Sequence, residues 1–60
     1  MSNTIKLDDY LLAGSKEGKT YREMMEKLTL VKIDQQAYGD WYYFRDDAGN
    51  VYEEWHSLGD

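Results

Sequence analysis

The chain lacks cysteine and proline altogether, and it has a single histidine, His56, in its 60 residues. Without cysteine it has no disulfide bonds or thiolate-bound zinc, and one histidine is too few for a histidine-rich metal site. No run of residues is long and apolar enough to span a membrane, and the N-terminus lacks the basic-then-apolar pattern of a signal peptide. The sequence therefore predicts a cytoplasmic chain that holds no metal or cofactor and does not contact a membrane.

The shortness of the chain limits it to one domain, which we expect to cover residues 1–60. A chain of this length buries only about 60% of the surface that its unfolded form exposes, so it is marginally stable alone. With disulfides and metals excluded, oligomerisation or a partner remains as the means of stabilisation. The lack of proline and the 42% of hydrophobic residues argue against disorder. We therefore expect a folded domain that forms a homodimer.

Positive charge is scarce in the second half of the chain, which says more than the total net charge of −5. Residues 1–33 hold six basic and five acidic side chains, whereas residues 34–60 hold one basic residue, Arg45, and seven acidic ones. This acidity opposes direct binding to nucleic acid, which needs a basic surface. It favours a protein partner with a basic surface, although the same charge also serves simply to keep a small protein soluble.

The stretch from Trp41 to Trp55 is predicted to form a β-hairpin, and it holds six of the nine aromatic residues. Asp47-Ala48-Gly49 fits a three-residue loop, in which a type I turn is followed by Gly49 in the left-handed region. Pairing Asp46 with Asn50 then sets the register. The predicted facing pairs are Arg45 with Val51, Phe44 with Tyr52, Tyr43 with Glu53, Tyr42 with Glu54, and Trp41 with Trp55.

Both faces of this hairpin are aromatic, because side chains alternate along a strand. One face carries Trp41, Tyr43, Arg45, Val51, Glu53 and Trp55, and the other carries Tyr42, Phe44, Tyr52, Glu54 and, at its end, His56. A single helix can cover only one of the two. We expect the covered face to be the tryptophan face, because two indoles offer the larger apolar area.

An amphipathic helix is predicted over Thr20–Leu28. Thr20 and Glu23 form a T-x-x-E capping box, in which each side chain satisfies a backbone N–H at the start of the helix. Apolar residues follow at helical spacing and form one stripe, which consists of Tyr21, Met24, Met25 and Leu28. We interpret this stripe as the side that packs on the sheet rather than as a methionine-rich binding groove.

The remaining segments complete a predicted α+β fold. Leu7–Ala13 is predicted to be a second, short helix that ends at Gly14, although Thr4–Leu7 also alternates like a strand. The other predicted elements are a loop over 15–19, a strand over 28–33, a loop over 34–40 broken by Gly39, and hairpin strands over 41–46 and 50–56. The expected architecture is one capped helix, with a second short N-terminal helix, packed on a three-stranded antiparallel β-meander.

Enzymatic activity is not expected, because no nucleophile and base combine near a cavity. His56 lies two residues from Glu54 on one face, which is an ordinary arrangement for a surface histidine. Glu53 and Glu54 are adjacent on a strand and point to opposite faces, so they cannot act as an acid–base pair. The acidic turn 46–50 offers oxygens to calcium, but turn chemistry alone accounts for it and the EF-hand spacing is absent.

A winged-helix DNA-binding fold is an alternative for the central segment. Residues 20–28 would be its first helix, the hairpin would be its wing, and Leu30–Tyr38 would form its recognition helix. That segment is rich in β-branched residues, and Lys32 is its only cation. An acidic wing also has the wrong sign for contact with phosphate.

The hairpin face opposite the tryptophans is the candidate binding surface. Tyrosine rings beside carboxylates suit an interface, because the rings anchor it and the carboxylates pair with a partner's Arg or Lys. The predicted partner-binding residues are Tyr42, Phe44, Asp46, Asp47, Tyr52 and Glu54. If this face is the covered one, the same argument applies to the tryptophan face. Alternatively, the N-terminal segment with Tyr10, Leu11 and Leu12 covers the second face.

Asp46-Asp47-Ala48-Gly49, followed by Tyr52, Glu54, Trp55 and His56, resembles the turn and second strand of the small phage-encoded uracil-DNA glycosylase inhibitors. The resemblance covers eleven residues, 46–56, and it implies a dimeric, acidic mimic of DNA. That family places its helix after the hairpin, whereas the capped helix here precedes it. The resemblance illustrates how a small acidic and aromatic protein blocks a DNA-binding cleft, without placing the chain in the family.

These features together predict a small acidic protein–protein interaction module. We expect an inhibitor or modulator of the kind that phages and mobile elements encode. It would dock an aromatic and acidic sheet face on a basic partner surface, with mimicry of nucleic acid as one mode. A self-associating structural or assembly protein that uses the same face is the alternative, and a winged-helix-like DNA-binding regulator is the minor one.

Overall fold

A computed structural model describes residues 4–58 of the chain. In chain order its elements are strand β1 (Thr4–Lys6), helices α1 (Leu7–Lys16) and α2 (Tyr21–Glu26), and strands β2 (Thr29–Gln35), β3 (Gly39–Arg45) and β4 (Val51–Ser57). The strands form one sheet in the order β1-β4-β3-β2. The predicted α+β class is confirmed. Neither helix in this part of the chain has the length and apolarity to cross a membrane.

The predicted three-stranded antiparallel meander is wrong, because the sheet has a fourth strand. Thr4–Lys6 pairs in parallel with β4, and Thr4 faces Val51 while Ile5 faces Tyr52. The alternation of residues 4–7 did indicate a strand, but we expected a helix to dominate there. Both are present, since the strand ends at Lys6 and the helix begins at Leu7. The parallel pairing joins residues far apart in sequence, and no local pattern predicts such a contact.

Helix α1 confirms the predicted second helix but extends past Gly14 to Lys16. Asp8 and Asp9 in its first turn and Lys16 in its last turn complement the helix dipole. Gly14 is buried, and a Cβ at this position would overlap the side chain of Met24. The glycine therefore permits close packing of α1 on α2 rather than ending the helix. The left-handed residue after the helix is Gly18, with φ 84°.

Helix α2 begins as predicted, with Thr20 as its N-cap. The Glu23 N–H donates to Thr20 Oγ1 at 3.2 Å, and the Thr20 N–H donates to Glu23 Oε1 at 2.6 Å, which completes the capping box. The helix ends at Glu26, two residues before the predicted Leu28. It lies against α1, where the Tyr10 hydroxyl donates to the Met24 carbonyl at 3.1 Å.

The hairpin of β3 and β4 has the predicted register at all five expected pairs, from Arg45 with Val51 to Trp41 with Trp55. Gly49 is left-handed at φ 93°, and its N–H donates to the Asp46 carbonyl at 3.1 Å. The strands extend further than expected at the end away from the turn, where Gly39 begins β3 instead of breaking a loop, and each is one residue shorter at the turn. A local turn with a defined loop length fixes the register of its strands, and the sequence therefore predicted it well.

Strand β2 replaces the recognition helix that the winged-helix alternative requires. Residues Thr29–Gln35 pair antiparallel with β3, with Leu30 facing Phe44 and Ile33 facing Tyr42. A bulge between Leu30 and Lys32 accommodates Val31 as an extra residue. All seven residues of the strand are exposed.

The helices cover the face of the sheet opposite to the one we expected. Tyr52 is 5% exposed and its ring lies 4.7 Å from that of Tyr10 in α1, whereas Trp55 is 41% exposed. Leu7, at 0%, and Met24, at 4%, complete the buried core among the described residues. The parallel pairing of β1 with β4 decides the side, because α1 follows β1 directly and folds back over Tyr52. The prediction that the tryptophan face is the core is therefore wrong.

Candidate functional site

Two of the six predicted partner-binding residues hold the hairpin turn together. The Asp46 carboxylate accepts hydrogen bonds from the Asn50 backbone N–H at 2.9 Å, from the Asn50 side-chain amide at 3.0 Å and from the Tyr52 hydroxyl at 2.9 Å. The ring of Tyr52 is buried against Tyr10. This geometry ties the turn to the core, and it leaves the ring of Tyr52 covered by α1.

The ionisation of this pair reflects the same contacts. The hydrogen bonds from Asn50, its side-chain amide first, lower the pKa of Asp46 from 3.8 to about 2, and the Tyr52 hydroxyl acts in the same direction. Burial raises the pKa of Tyr52 from 10.0 to about 12, and the neighbouring Asp46 carboxylate adds to the rise. At neutral pH the turn therefore holds a stable carboxylate and a protonated phenol.

The other four predicted residues lie in two places. Tyr42 and Phe44 are half-buried on β3, where they face the exposed Ile33 and Leu30 of β2. Glu54 is also half-buried, and its Oε1 lies 2.8 Å from Nε2 of His56, whose ring is 4.4 Å from that of Tyr42. Asp47 is exposed at the turn. The structure thus separates the predicted patch into the buried Tyr52, half-buried residues on β3 and β4, and the turn.

The opposite side of the sheet carries a continuous aromatic surface, which we call the open face. Both helices of the described chain lie on the Tyr52 side. The strand registers place three rows of side chains across the open face, namely Asp34, Trp41 and Trp55; Lys32, Tyr43, Glu53 and Lys6; and Thr29, Arg45, Val51 and Thr4. The open face therefore combines three aromatic rings with charges of both signs.

The two tryptophans of the open face pack on each other. Their ring centroids are 5.3 Å apart at an interplanar angle of 57°, which is a favourable tilted geometry. The indole of Trp55 also lies over Gly39, where any Cβ would overlap it. Gly39 therefore leaves room for the indole of Trp55 at the neighbouring strand.

The charges of the open face are unevenly distributed. The Lys32 ammonium lies 5.0 Å from the centroid of the Tyr43 ring, in a cation–π arrangement. Arg45 stands near the turn, whereas Asp34 faces Trp41 at the far end. A shallow depression of about 550 Å³ runs across the middle and turn end of this face, between Lys32 and Glu53. The end with the tryptophans is thus more acidic than the end at the turn.

Sequence reasoning named the hairpin residues of this surface but missed those that β1 and β2 add to it. Lys6 reaches the face through the parallel pairing with Glu53, and Lys32 reaches it beside Tyr43. The alternation of Lys32, Ile33 and Asp34 indicates that the lysine and the aspartate share a side. It does not say which side, because the bulge at Val31 changes the phase of the strand.

The chain was compared with protein-family models, with characterised proteins and with solved structures, and no significant match was found.

Proposed function

We propose that this chain is a small protein–protein interaction module that binds a partner protein through the open face. The observation that carries the proposal is the Trp41–Trp55 pair beside Tyr43, with Trp55 exposed and Trp41 half-buried, on a side of the sheet opposite both described helices. Tryptophan and tyrosine on a rigid strand scaffold supply large contact areas at low entropic cost, and they dominate the energetics of many interfaces. We expected the helices to cover the tryptophan face and a partner to bind the face with Tyr42 and Phe44. Because the helices cover the other face, the same argument from aromatic rings and carboxylates now applies to the open face.

The chemistry at the tryptophan end favours a basic group of the partner. Asp34 faces Trp41 across the strand pair, and Glu53 lies on the same face one row away. An arginine or lysine side chain of the partner can lie over an indole ring while it pairs with one of these carboxylates. The net charge of −5 adds a longer-range attraction to a basic surface. The proposed role is that of an inhibitor or modulator of such a partner.

Mimicry of nucleic acid is one mode of binding a basic surface, but the open face offers limited support for it. Lys6, Lys32 and Arg45 stand on this face together with its two carboxylates. A mimic of the phosphate backbone would instead present a run of negative charge. Competition by duplex DNA for the captured partner would distinguish this mode from ordinary docking.

The test is capture of partners from a lysate with wild-type protein and with single variants, measured by quantitative mass spectrometry. Trp55→Ala and Tyr43→Ala should lose the specific partners, whereas Tyr38→Ala should retain them. Tyr38 is a matched control because it is 83% exposed and lies in the turn between β2 and β3 rather than on the open face. Phe44→Ala tests the other face of the same strand.

Salt dependence provides an independent check on the charge argument. Binding through the carboxylates should weaken as ionic strength rises, because exposed charge pairs are screened. If Trp55→Ala and Tyr43→Ala capture the same proteins as wild type while Phe44→Ala does not, the site lies on the Tyr42 and Phe44 side and our assignment is wrong.

Self-association is the second candidate function, and the size of the core favours it. Only Leu7, Met24 and Tyr52 are buried hydrophobic residues within residues 4–58. A core of this size is marginal for a chain without disulfides or metals. Sedimentation across a range of concentrations separates the two candidates, because a strict monomer contradicts self-association.

A further inference from the structure

The outer edge of β2 is the most exposed apolar part of the sheet. Within residues 4–58, β2 pairs with β3 on one side and with no strand on the other. Leu30, Val31 and Ile33 are 47%, 57% and 43% exposed. The strand contains no proline, so its outward backbone N–H and C=O groups form a row that can accept another strand.

Two features of β2 normally discourage pairing with a strand of another molecule. Lys32 adds charge to the edge, and the bulge between Leu30 and Lys32 twists the edge away from a partner strand. The bulge lies at Val31, so the regular part of the strand begins at Lys32 and ends at Gln35. Any strand that pairs here must therefore match a short segment and must also neutralise Lys32.

The segment Lys32-Ile33-Asp34 is complementary to itself. In an antiparallel pair related by a two-fold axis through Ile33, each Ile33 faces its counterpart, and each Lys32 faces Asp34 of the second copy. Lys32 and Asp34 lie on the same face of the sheet, next to Tyr43 and Trp41, so the opposed charges are also on one side. Directly opposed side chains have Cβ atoms about 5 Å apart, which is within reach of an ion pair.

The neighbouring registers lack this complementarity. Shifting the two-fold axis to Lys32 places the two lysines opposite each other, and shifting it to Asp34 does the same with the two aspartates. Like charges directly opposed destabilise a strand pair. A two-fold axis perpendicular to the sheet must pass through a residue position, so these are the alternatives nearest to Ile33.

We infer that β2 is a homodimer interface, in which two copies pair antiparallel about Ile33 and form one continuous eight-stranded sheet. The charge pattern selects a second copy of this chain as the occupant, since an antiparallel strand of another protein would need the same Lys-x-Asp sequence. The helix-side surface of Ile33 is then covered by its counterpart. The interface occupies the Asp34 carboxylate but not the Trp41–Trp55 pair, so both indoles and Glu53 of the open face stay accessible to a partner.

The test exchanges the charges and measures the oligomeric state by sedimentation equilibrium. Wild type should dimerise with increasing concentration. Lys32→Asp alone and Asp34→Lys alone should each raise the dimer dissociation constant by about tenfold or more, because each puts like charges opposite each other twice. An equimolar mixture of the two variants should dimerise again, because each aspartate then faces a lysine. The double variant Lys32→Asp/Asp34→Lys should also dimerise.

The rescue by mixing keeps the test independent of any effect on folding, and circular dichroism of each variant verifies the fold. A wild type that stays monomeric at all concentrations would overturn the inference, and so would single variants that dimerise as well as wild type. A mixture that stays monomeric would overturn the Ile33 register. Trp55→Ala should still dimerise, so the outcome for β2 is separate from the outcome for the proposed function.

Discussion

The carboxylate of Asp46 connects two parts of the molecule at the scale of a single residue. It accepts hydrogen bonds from both nitrogens of Asn50 and from the hydroxyl of the buried Tyr52, so the turn conformation and the core depend on one side chain. Asp46 and Tyr52 were predicted to contact a partner, and the structure gives them this internal role. Hydrogen bonds between an aspartate and the backbone of its own turn are expected from the sequence. The hydrogen bond from the Tyr52 hydroxyl to Asp46 follows only once the hairpin register is known.

The pH dependence of stability should report this network. The pKa of Asp46 is lowered from 3.8 to about 2 in the folded chain, so its contribution is complete above 3.8 and is lost as the pH falls through about 2. In Asp46→Asn this part of the acid dependence should be missing, and the protein should be less stable at neutral pH. Thermal unfolding followed by circular dichroism between pH 2 and pH 7 measures both effects.

Asp47→Asn is the matched control, because Asp47 is exposed in the same turn. It should show the acid dependence of wild type. Equal acid dependence in Asp46→Asn and wild type would contradict the role of the hydrogen-bonded carboxylate.

At the scale of elements, two glycines predicted to interrupt structure instead lie inside it. Gly14 lies within α1 against Met24, and Gly39 begins β3 beneath Trp55. In each case the missing Cβ makes room for a neighbour distant in sequence. Local rules treat glycine as a breaker because they see its backbone freedom and not the packing that uses its small size.

The two glycines should differ in their tolerance of alanine. A Cβ at Gly39 would overlap the His56 backbone carbonyl as well as the Trp55 indole, so Gly39→Ala should cost about 1–3 kcal/mol. The three atoms nearest to a Cβ at Gly14 all belong to the flexible side chain of Met24, and alanine gains about 1 kcal/mol of helix propensity. Gly14→Ala should therefore be the milder change. Chemical denaturation of both variants gives the ranking, and the reverse order would contradict this packing.

The hairpin and the capping box were predictable because each is fixed by adjacent residues. Asp47-Ala48-Gly49 sets the register, and Thr20 with Glu23 sets the start of α2. The side of the sheet that is buried was not predictable, because both hairpin faces are aromatic and hydrophobic pattern alone cannot choose between them. The choice depends on the three-residue strand β1, which is too short to give a periodic signal.

At the scale of the whole molecule, the small core makes association relevant to stability. Leu7, Met24 and Tyr52 are the buried hydrophobic residues of the described chain, while Leu30, Val31 and Ile33 of β2 are exposed. Such a balance is typical of chains that gain part of their stability from a partner copy. The short length of a chain without disulfides led to the same expectation from the sequence.

The unfolding temperature should accordingly depend on protein concentration. Because dimerisation stabilises the folded state by mass action, the midpoint for wild type should rise as concentration increases. Lys32→Asp should unfold at a lower midpoint than wild type at the same concentration, and its equimolar mixture with Asp34→Lys should regain the wild-type midpoint. Scanning calorimetry at several concentrations measures this, and a constant wild-type midpoint would argue against a dimer.

The parallel pairing of β1 with β4 has a consequence for folding, because it joins the two strands that lie furthest apart in the chain. Thr4 faces Val51, so this contact closes a loop that spans most of the chain, whereas the two antiparallel pairs close short turns. Closing a long loop costs more entropy and slows the step that needs it. During synthesis β1 leaves the ribosome before β4, so β1 has no strand to join until β4 follows. Strand β1 precedes the other strands in the chain, and its docking on β4 is expected to complete the fold.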